Sequence, residues 1–267
     1  MNIFILLFFV LGAMVGSFLN VCIVRLPHEQ SVVKPRSHCV YCKKSILWCD
    51  NIPLISYLIL KGRCRFCQKR ISSRYFFVEL ITAFTFIGFY SYFGLDILLL
   101  PYLVMVSGFI VAIFVDFKHR IIPDEISVGG GAVGLILSFL IPSLHGIEKI
   151  SIVAHFQSLG ASLMGMLIGG SLIYGMGVLG DALFKKESMG GGDVKFLGMI
   201  GAFLGWELAI LTFFIAPLFG AVFGVIEKIR KNDSAIAYGP FLALGALISL
   251  FWGETIIRWI SGEYRLY

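Results

Sequence analysis

The chain has 267 residues, of which 58% are hydrophobic and only 14% are charged. Soluble domains carry about 25% charged residues and roughly 45–50% apolar ones, so this composition excludes a water-soluble globular domain and predicts a polytopic membrane protein. The net charge of +6 at pH 7 would suit a nucleic-acid partner, but the positions of the charges favour a topological explanation with no nucleic acid.

Eight apolar runs predict an all-α fold of about eight transmembrane helices, since each helix needs about 20 residues to cross a hydrocarbon core roughly 30 Å thick. The runs cover residues 3–24, 75–94, 97–116, 126–144, 159–180, 194–206, 208–227 and 237–258. In the first run the positive charge follows the apolar residues, at Arg25, which favours a retained helix over a secretory signal peptide. The sixth run is short for a full crossing, so it is either tilted or continuous with the seventh as a helical hairpin.

Lysine and arginine fall almost entirely on one side of this topology. With the N-terminus outside, 19 of the 22 lie on the same side, which the positive-inside rule makes cytoplasmic. Of these, 11 lie between Arg25 and Arg74, in the one long polar insertion. The sequence therefore predicts three parts: a first transmembrane helix at 1–24, a cytoplasmic loop domain at 25–74 and a membrane-embedded core at 75–267.

The loop domain contains two CxxC pairs with 21 residues between them. Four thiolates at this spacing suit a tetrahedral structural zinc site, and a reducing cytoplasm argues against a disulfide framework. The predicted ligands are Cys39, Cys42, Cys64 and Cys67. A closed four-cysteine site has no open coordination position, so the Zn²⁺ would hold together a loop too small to build its own core. Cys22 and Cys49 are expected to be packing residues.

Acidic residues at the ends of membrane segments are costly, so they are candidates for function. Asp116 closes the third run, and Asp193 follows three glycines in "MGGGDVKF" at the start of the sixth. Both lie on the predicted cytoplasmic side, where they could face one another. An aspartate also caps helices well, and for Asp124, at the start of the fourth helix, we expect only that role. Asp116 lies at a helix C-terminus, where the helix dipole disfavours an anion. This unfavourable placement points to a functional role.

Two aspartates on one membrane face can share a proton, so that the ionised one activates water while the protonated one polarises a scissile carbonyl. That chemistry is peptide hydrolysis. An extended substrate needs space beside the acid, and the glycines before Asp193 would provide it, by close approach or by a backbone with positive φ. Glycines elsewhere recur at small-xxx-small spacing, as in Gly12/Gly16 and Gly165/Gly169, and predict close helix packing.

The chain resembles the type IV prepilin peptidases, which act as leader peptidase and N-methyltransferase for pilus and type II secretion systems. The likeness covers nearly the whole chain. It rests on the order and spacing of "GSFLNVCIVRLP", "CVYC" and "CRFC" around "DNIPLISYLILKGR", "RYFFVEL", "DFKHRIIPD" and "GGGDVKF" with its GxGD core. Two small departures, Cys49 for a common aromatic residue and Val24 for a frequent tyrosine, touch neither the acids nor the paired cysteines.

The resemblance implies that Asp116 and Asp193 are catalytic, and that a prepilin or pseudopilin leader is cleaved after a glycine at the cytoplasmic face of the cell inner membrane. It also implies methylation of the new N-terminal residue from S-adenosylmethionine, and partners in the lipid bilayer and in pilus or secretion assembly machinery. Family substrates carry a basic leader, so Asp124, Glu125 and Glu187 are expected to guide it.

The methyl-donor site has no nucleotide-binding glycine motif in the sequence, so its location is unknown. The turn at Gly62 and Arg63, or Glu79 in the second helix, are possible contributors. Two alternatives stay open: a peptidase without methyltransferase activity, and a proton-coupled transporter in which membrane acids relay charge. The transporter hypothesis does not explain the cysteine loop or the triple glycine. A third hypothesis, a non-enzymatic scaffold built on the zinc loop, does not explain the acids.

Overall fold

The structure is a computed structural model that describes residues 3–149, 151–185, 189–231 and 237–262, without the side chains of 184 and 225–231. The chain divides into two compact units, Met1–Val111 and Ala112–Tyr267, with the boundary inside one helix. Each unit is described by itself below.

Every regular element in the described residues is helical, which confirms the predicted all-α class. The α-helices are α1 (Ile3–Arg25), α2 (Ile55–Ile59), α3 (Arg74–Phe93), α4 (Leu99–His119), α5 (Asp124–Leu140), α6 (Ile152–Phe184), α7 (Gly191–Lys231) and α8 (Gly239–Ile260). Six of them, α1, α3, α4, α6, α7 and α8, are long and apolar enough to cross a membrane. The protein is therefore a multi-pass membrane protein.

Six candidate spans stand against the predicted eight, and two helices account for the difference. The fourth predicted run overlaps α5, whose 17 residues are at the lower limit of the roughly 17–25 that cross a bilayer, so α5 is not among the six. The sixth and seventh runs both lie in α7, whose helical geometry breaks at Gly205 with φ 81° and ψ 175°. The chain thus turns sharply at the one position in α7 where the backbone is left-handed, a conformation that glycine adopts without strain.

The two arms of α7 run in opposite directions. On the first arm, Gly201 lies against Gly165 of α6. On the second arm, the Thr212 hydroxyl hydrogen-bonds Ser249 of α8 at 3.1 Å, and Gly220 lies beside Tyr238 just before α8 begins. The second arm therefore returns to the end of the unit from which α8 starts. The helical hairpin, one of the two alternatives for the sixth run, is the arrangement observed.

The first arm of α7 is short because it lies inside the protein rather than in lipid. All residues from Phe196 to Gly205 are buried, so this helix is apolar on every side and shows no polar face. Its neighbours approach at backbone distance: a Cβ on Gly165 would overlap the carbonyl oxygen of Gly201, and one on Gly169 would lie 2.6 Å from that of Leu197. The predicted small-residue contacts are confirmed on this face.

In the first unit, α1 and α3 pack through glycine. A Cβ on Gly12 would lie 2.7 Å from the Ala83 Cα, and a Cβ on Gly16 would lie 2.7 Å from the Glu79 Cα. The side-chain amide of Asn20 donates to the Tyr75 carbonyl at 2.9 Å, which joins the ends of the two helices. The residues between α1 and α3 form the cysteine-containing segment.

Candidate active site and metal site

Asp116 lies in the last turn of α4, and its side chain is held by the start of α8. The residue is 4% exposed. Its carboxylate accepts a hydrogen bond of 2.9 Å from the backbone N–H of Gly239. Glycine is required there, because a Cβ on Gly239 would lie 2.9 Å from the same carboxylate oxygen. Since α4 ends at His119 and the next residue, Arg120, has a left-handed φ of 57°, the acid sits where the chain leaves the helix.

Asp193 is the third residue of α7, and its carboxylate accepts a hydrogen bond from the backbone N–H of Gly190. The backbone N–H of Asp193 in turn donates to the Gly190 carbonyl at 3.1 Å. The side-chain bond is one half of a helix-capping box; Gly190 has no side chain to supply the other half. The charges of Asp193 and Asp116 interact, so the two acids lie at the same end of the unit, as the sequence suggested.

The three glycines before Asp193 act by leaving space and not by unusual backbone geometry. None of Gly190, Gly191 and Gly192 has a positive φ, so the suggested left-handed backbone is wrong. A Cβ on Gly191 would meet no atom of the described residues within 4 Å, whereas one on Gly192 would touch the Ile122 side chain at 3.4 Å. In the part of the chain that the structure describes, space therefore remains beside the acid at Gly191.

Asp124 was expected to cap α5 and to favour the positive end of that helix; the cap is wrong, whereas its position in the first turn bears out the second role. Pro123 occupies the cap position of α5, and Asp124 follows in the first turn. Its two carboxylate oxygens accept from the Lys195 ammonium group at 2.7 and 2.8 Å. This exposed pair joins the start of α5 to the start of α7, two residues beyond Asp193. Of the other proposed leader guides, Glu125 is exposed in the same turn, and Glu187 lies outside the described residues.

Tyr238 is a residue that the sequence analysis missed. Its hydroxyl is buried and has no hydrogen-bond partner within the described part of the chain. Burial, together with the nearby charge of Asp193, raises the pKa of Tyr238 to about 12, so the hydroxyl stays a proton donor at neutral pH. The only signal in the sequence was its position directly before the "GP" that opens α8. That signal cannot reveal a neighbour 45 residues earlier in the chain.

The four paired cysteines converge as predicted. Their sulfur atoms all lie within 4.8 Å of one another, with Cys39 and Cys67 at 3.8 Å and Cys42 and Cys64 at 4.0 Å. Four Zn–S bonds of about 2.3 Å in a tetrahedron place the sulfurs about 3.8 Å apart, so this set fits a zinc ion.

The two CxxC turns have the same backbone geometry. In the first, Cys39 donates to the Lys44 carbonyl and accepts from Lys43 N–H; in the second, Cys64 donates to Lys69 and accepts from Gln68. Lys43 and Gln68 occupy equivalent left-handed positions, with φ of 59° and 56°. Each turn therefore presents two sulfurs in the same way, which suits a single ion held between them.

Local hydrogen bonds prepare one of the thiols to bind a metal. Burial opposes ionisation of Cys39, but the backbone N–H groups of Cys42 and Tyr41 outweigh it and lower the pKa of Cys39 to about 6. The backbone N–H of Lys69 favours the Cys67 thiolate, but burial and the three neighbouring sulfurs raise the pKa of Cys67 to about 11. A metal ion removes that repulsion by neutralising the sulfurs.

A cavity of about 700 Å³ lies beside the second CxxC turn and includes both residues of the suspected turn, Gly62 and Arg63. Tyr57, Gln68 and Arg70 contribute to its lining. Gly62 has a φ of 65°, and a Cβ there would lie 2.8 Å from the Tyr57 hydroxyl. The size suits a small organic ligand, and two arginines suit a carboxylate on it.

Glu79, the other residue considered for the methyl donor, does not line this cavity. Its carboxylate is buried on α3 and accepts a hydrogen bond of 2.8 Å from the Leu54 backbone N–H. It also accepts one from the Ser17 hydroxyl. The structure thus places the turn at Gly62 and Arg63 and the carboxylate of Glu79 at different sites.

Comparison with known proteins identifies the family of the chain. A family model described as "Bacterial Peptidase A24 N-terminal domain" matches residues 10–93, and one described as "Type IV leader peptidase family" matches residues 103–225. The chain therefore belongs to the type IV leader peptidase family. No solved structure matches it.

Several relatives carry the name "Prepilin leader peptidase/N-methyltransferase". One from Myxococcus xanthus is 38% identical over 84% of this chain and 63% of its own length. One from Aeromonas hydrophila is 31% identical over 95% of this chain and 92% of its own. One from Legionella pneumophila is 34% identical over 94% of this chain and 92% of its own.

Proposed function

We propose that this protein cleaves the leader peptide from type IV prepilins or pseudopilins and then N-methylates the new N-terminal residue from S-adenosylmethionine. The observation that carries the peptidase half is the convergence of Asp116 and Asp193, which lie 77 residues apart in the sequence, at one end of the second unit. The names of the relatives support both halves.

Asp116 and Asp193 would act as an aspartic dyad. One carboxylate, ionised, takes a proton from the attacking water, while the other, protonated, donates a hydrogen bond to the scissile carbonyl oxygen. The N–H groups of Gly239 and Gly190 hold the two carboxylates in position. The Tyr238 hydroxyl, a buried donor without a protein acceptor, would stabilise the oxygen on which negative charge develops.

The substrate would approach along the membrane. Its hydrophobic helix would enter from lipid and its basic leader would stay in the cytoplasm, with the scissile bond beside the open space at Gly191. This orientation puts the N-terminus outside and the dyad on the cytoplasmic face of the cell inner membrane, which the positive-inside distribution supports. Asp124 is partly neutralised by Lys195, so Glu125 is the stronger candidate for contact with the leader.

Cys39, Cys42, Cys64 and Cys67 would hold a structural Zn²⁺. With four sulfur ligands no position is left for water or substrate, so the ion would stabilise the segment and supply no reaction chemistry. The parts of the chain would then be a first helix at 1–24, a zinc-binding segment at 25–74 and a peptidase core at 75–267.

S-adenosylmethionine would supply the methyl group for the new amine. In the cavity at Gly62, Arg63 and Arg70 would bind its carboxylate, and the Tyr57 ring would offer a face to its cationic end. The protein would also have to bind the new N-terminal amine of the substrate in its neutral form.

The test is reconstitution of the purified protein with a synthetic prepilin that carries a basic leader, a glycine and a phenylalanine-led hydrophobic helix. Mass spectrometry with S-adenosylmethionine present reads both reactions. We expect cleavage and a methyl adduct for the wild type, and loss of cleavage for Asp116→Asn and Asp193→Asn.

The matched control is Asp96→Asn, because Asp96 is exposed and its side chain only accepts from Leu98 N–H. Cleavage that survives either catalytic substitution would refute the dyad. Cleavage without methylation would reduce the protein to a peptidase, and proton flux without cleavage would favour the transporter.

A further inference from the structure

The segment between the two CxxC turns has an unusual composition for a cytoplasmic domain. Residues 47–60, "LWCDNIPLISYLIL", contain a single charged residue, Asp50, and we call them the apolar hairpin. Basic residues flank it closely on both sides: Lys43 and Lys44 before it, Lys61 and Arg63 after it. A short apolar stretch between basic flanks is the pattern of a segment that enters one leaflet of a bilayer.

The apolar hairpin exposes its large hydrophobic side chains instead of burying them. Trp48 is 83% exposed, Ile59 70% and Leu58 63%, whereas Ser56 is only 7% exposed. Leu58 and Ile59 share one face of α2 with Ile55, which is also exposed. Contiguous apolar surface of this kind marks contact with a partner or with lipid, because water would make it costly.

The inner side of the apolar hairpin packs against helices that are candidate membrane spans. Leu54 forms a buried cluster with Ala13 of α1 and Ala83 of α3. The Tyr57 ring lies 5.5 Å from that of Phe76. Ala83 is nine residues beyond the start of α3 at Arg74, which is about 13 Å along the helix at roughly 1.5 Å per residue. The hairpin therefore extends alongside the apolar length of α1 and α3, within the first unit.

Several backbone groups of the apolar hairpin are hydrogen-bonded within it, as hydrocarbon favours. Ser56 N–H donates to Ile52, Leu58 N–H to Leu54, and Leu60 N–H to Ser56. The Ser56 hydroxyl donates to the Cys49 carbonyl at 2.8 Å, and Pro53 has no N–H to satisfy. These bonds allow the chain to turn at depth without water.

The Leu54 N–H is bonded from outside the hairpin, where the Glu79 carboxylate accepts it. Leu54 adopts a φ of 61°, unusual for a residue with a side chain, and its N–H bonds the Glu79 carboxylate at 2.8 Å. This contact explains a buried acid in the second turn of α3, because the carboxylate anchors the tip of the hairpin to the span.

We propose that residues 47–60 form a re-entrant segment whose exposed face lies among the lipid acyl chains of one leaflet. Trp48, Ile59 and the flanking basic residues would lie near the headgroups, and Ile55, beside the tip at Leu54, would lie deeper. The cytoplasmic domain assigned to 25–74 is then two aqueous cysteine turns joined by a membrane-embedded hairpin. This proposal does not depend on peptidase or methyltransferase activity.

The test measures depth by fluorescence in vesicles of phosphatidylcholine and phosphatidylglycerol. The starting variant of the full chain replaces all four tryptophans, Trp48, Trp206, Trp252 and Trp259, by phenylalanine. Single tryptophans are then introduced at Ile55, at position 48 by restoring the native residue, and at Val33, an exposed residue outside the hairpin that serves as control.

We expect Ile55→Trp to lose emission most with lipids brominated deep in the chain, native Trp48 with lipids brominated near the headgroup, and Val33→Trp only with aqueous iodide. Quenching of Ile55→Trp by iodide would refute the proposal. Quenching by neither agent would also refute it, because the face would then be covered by protein, such as a second copy.

A second pair of variants tests the anchor. Glu79→Leu removes the acceptor of the Leu54 N–H, whereas Glu79→Gln keeps a carbonyl oxygen in its place. In the Ile55→Trp background we expect Glu79→Leu to shift quenching from deep bromine to iodide, with faster tryptic cleavage at Lys61 and Arg63. Glu79→Gln should retain the native pattern, which also controls for misfolding. Unchanged depth in Glu79→Leu would overturn the anchoring role.

Discussion

Replacing Tyr238 by phenylalanine should change stability and activity in opposite directions. The substitution removes one oxygen atom that is buried and without a partner in the described part of the chain. Leaving such a group unsatisfied costs about 1–3 kcal/mol, so its removal should raise the free energy of unfolding by about that amount. For a chain of this size, each kcal/mol should raise the unfolding midpoint by about 2–4 °C.

The activity should fall because the same hydroxyl lies beside the dyad. If it donates to the developing oxyanion, its loss removes one such donor, which typically costs about 100-fold or more in kcat, near 2.7 kcal/mol. The Michaelis constant should change little, since the interaction forms mainly in the transition state. A purely structural tyrosine would show no such separation of kcat from KM.

The assay is single-turnover cleavage of the synthetic prepilin in vesicles, with thermal unfolding of the same samples. Tyr174→Phe is the matched control, because that hydroxyl is on the exposed surface of α6 in the same unit. An unchanged kcat in Tyr238→Phe would remove the hydroxyl from the mechanism. A lower unfolding midpoint would show that it has a stabilising partner, and the reasoning from an unsatisfied donor would fail.

Three further predictions concern the metal site, helix packing and the ion pair. A strong chelator should remove one equivalent of zinc and increase proteolysis of the loop segment. A metal-free protein that resists proteolysis equally well would refute a structural role for the zinc. Gly165→Ala should destabilise the fold by several kcal/mol, because its Cβ would overlap the Gly201 carbonyl, whereas Gly160→Ala, which meets nothing within 4 Å, should be neutral in thermal unfolding. Lys195→Asp should reduce stability by about 0.2–1 kcal/mol, and adding Asp124→Lys should restore it in a double-mutant cycle; equal loss in the double variant would exclude a direct pair.

Properties set by composition and local spacing could be predicted from the sequence. Transfer into lipid is a sum over residues, so the apolar runs and the charge bias indicated membrane helices without any knowledge of contacts. The CxxC turns are likewise local, because each brings two sulfurs together within four residues. Their convergence followed from the preference of zinc for four such ligands. The family resemblance added roles for the acids that spacing alone left open.

Other features depend on contacts between residues far apart in the chain. The reversal at Gly205 makes a short apolar run into one arm of a buried hairpin, which hydropathy cannot distinguish from a lipid-facing span. Tyr238 and Gly239 meet the acids only because α4, α7 and α8 share one end of the unit. Asp124 pairs with Lys195 instead of capping its helix for the same reason.

The apolar hairpin is the clearest case of this division. Charge counting placed all of 25–74 in the cytoplasm, because the rule sums basic residues and is blind to a stretch of 14 residues that is too short to span. Only the packed structure brings Leu54 against Ala13 and Ala83 and its N–H to Glu79. The sequence determined which residues avoid water, and tertiary packing determined which of them face protein and which are left to face lipid.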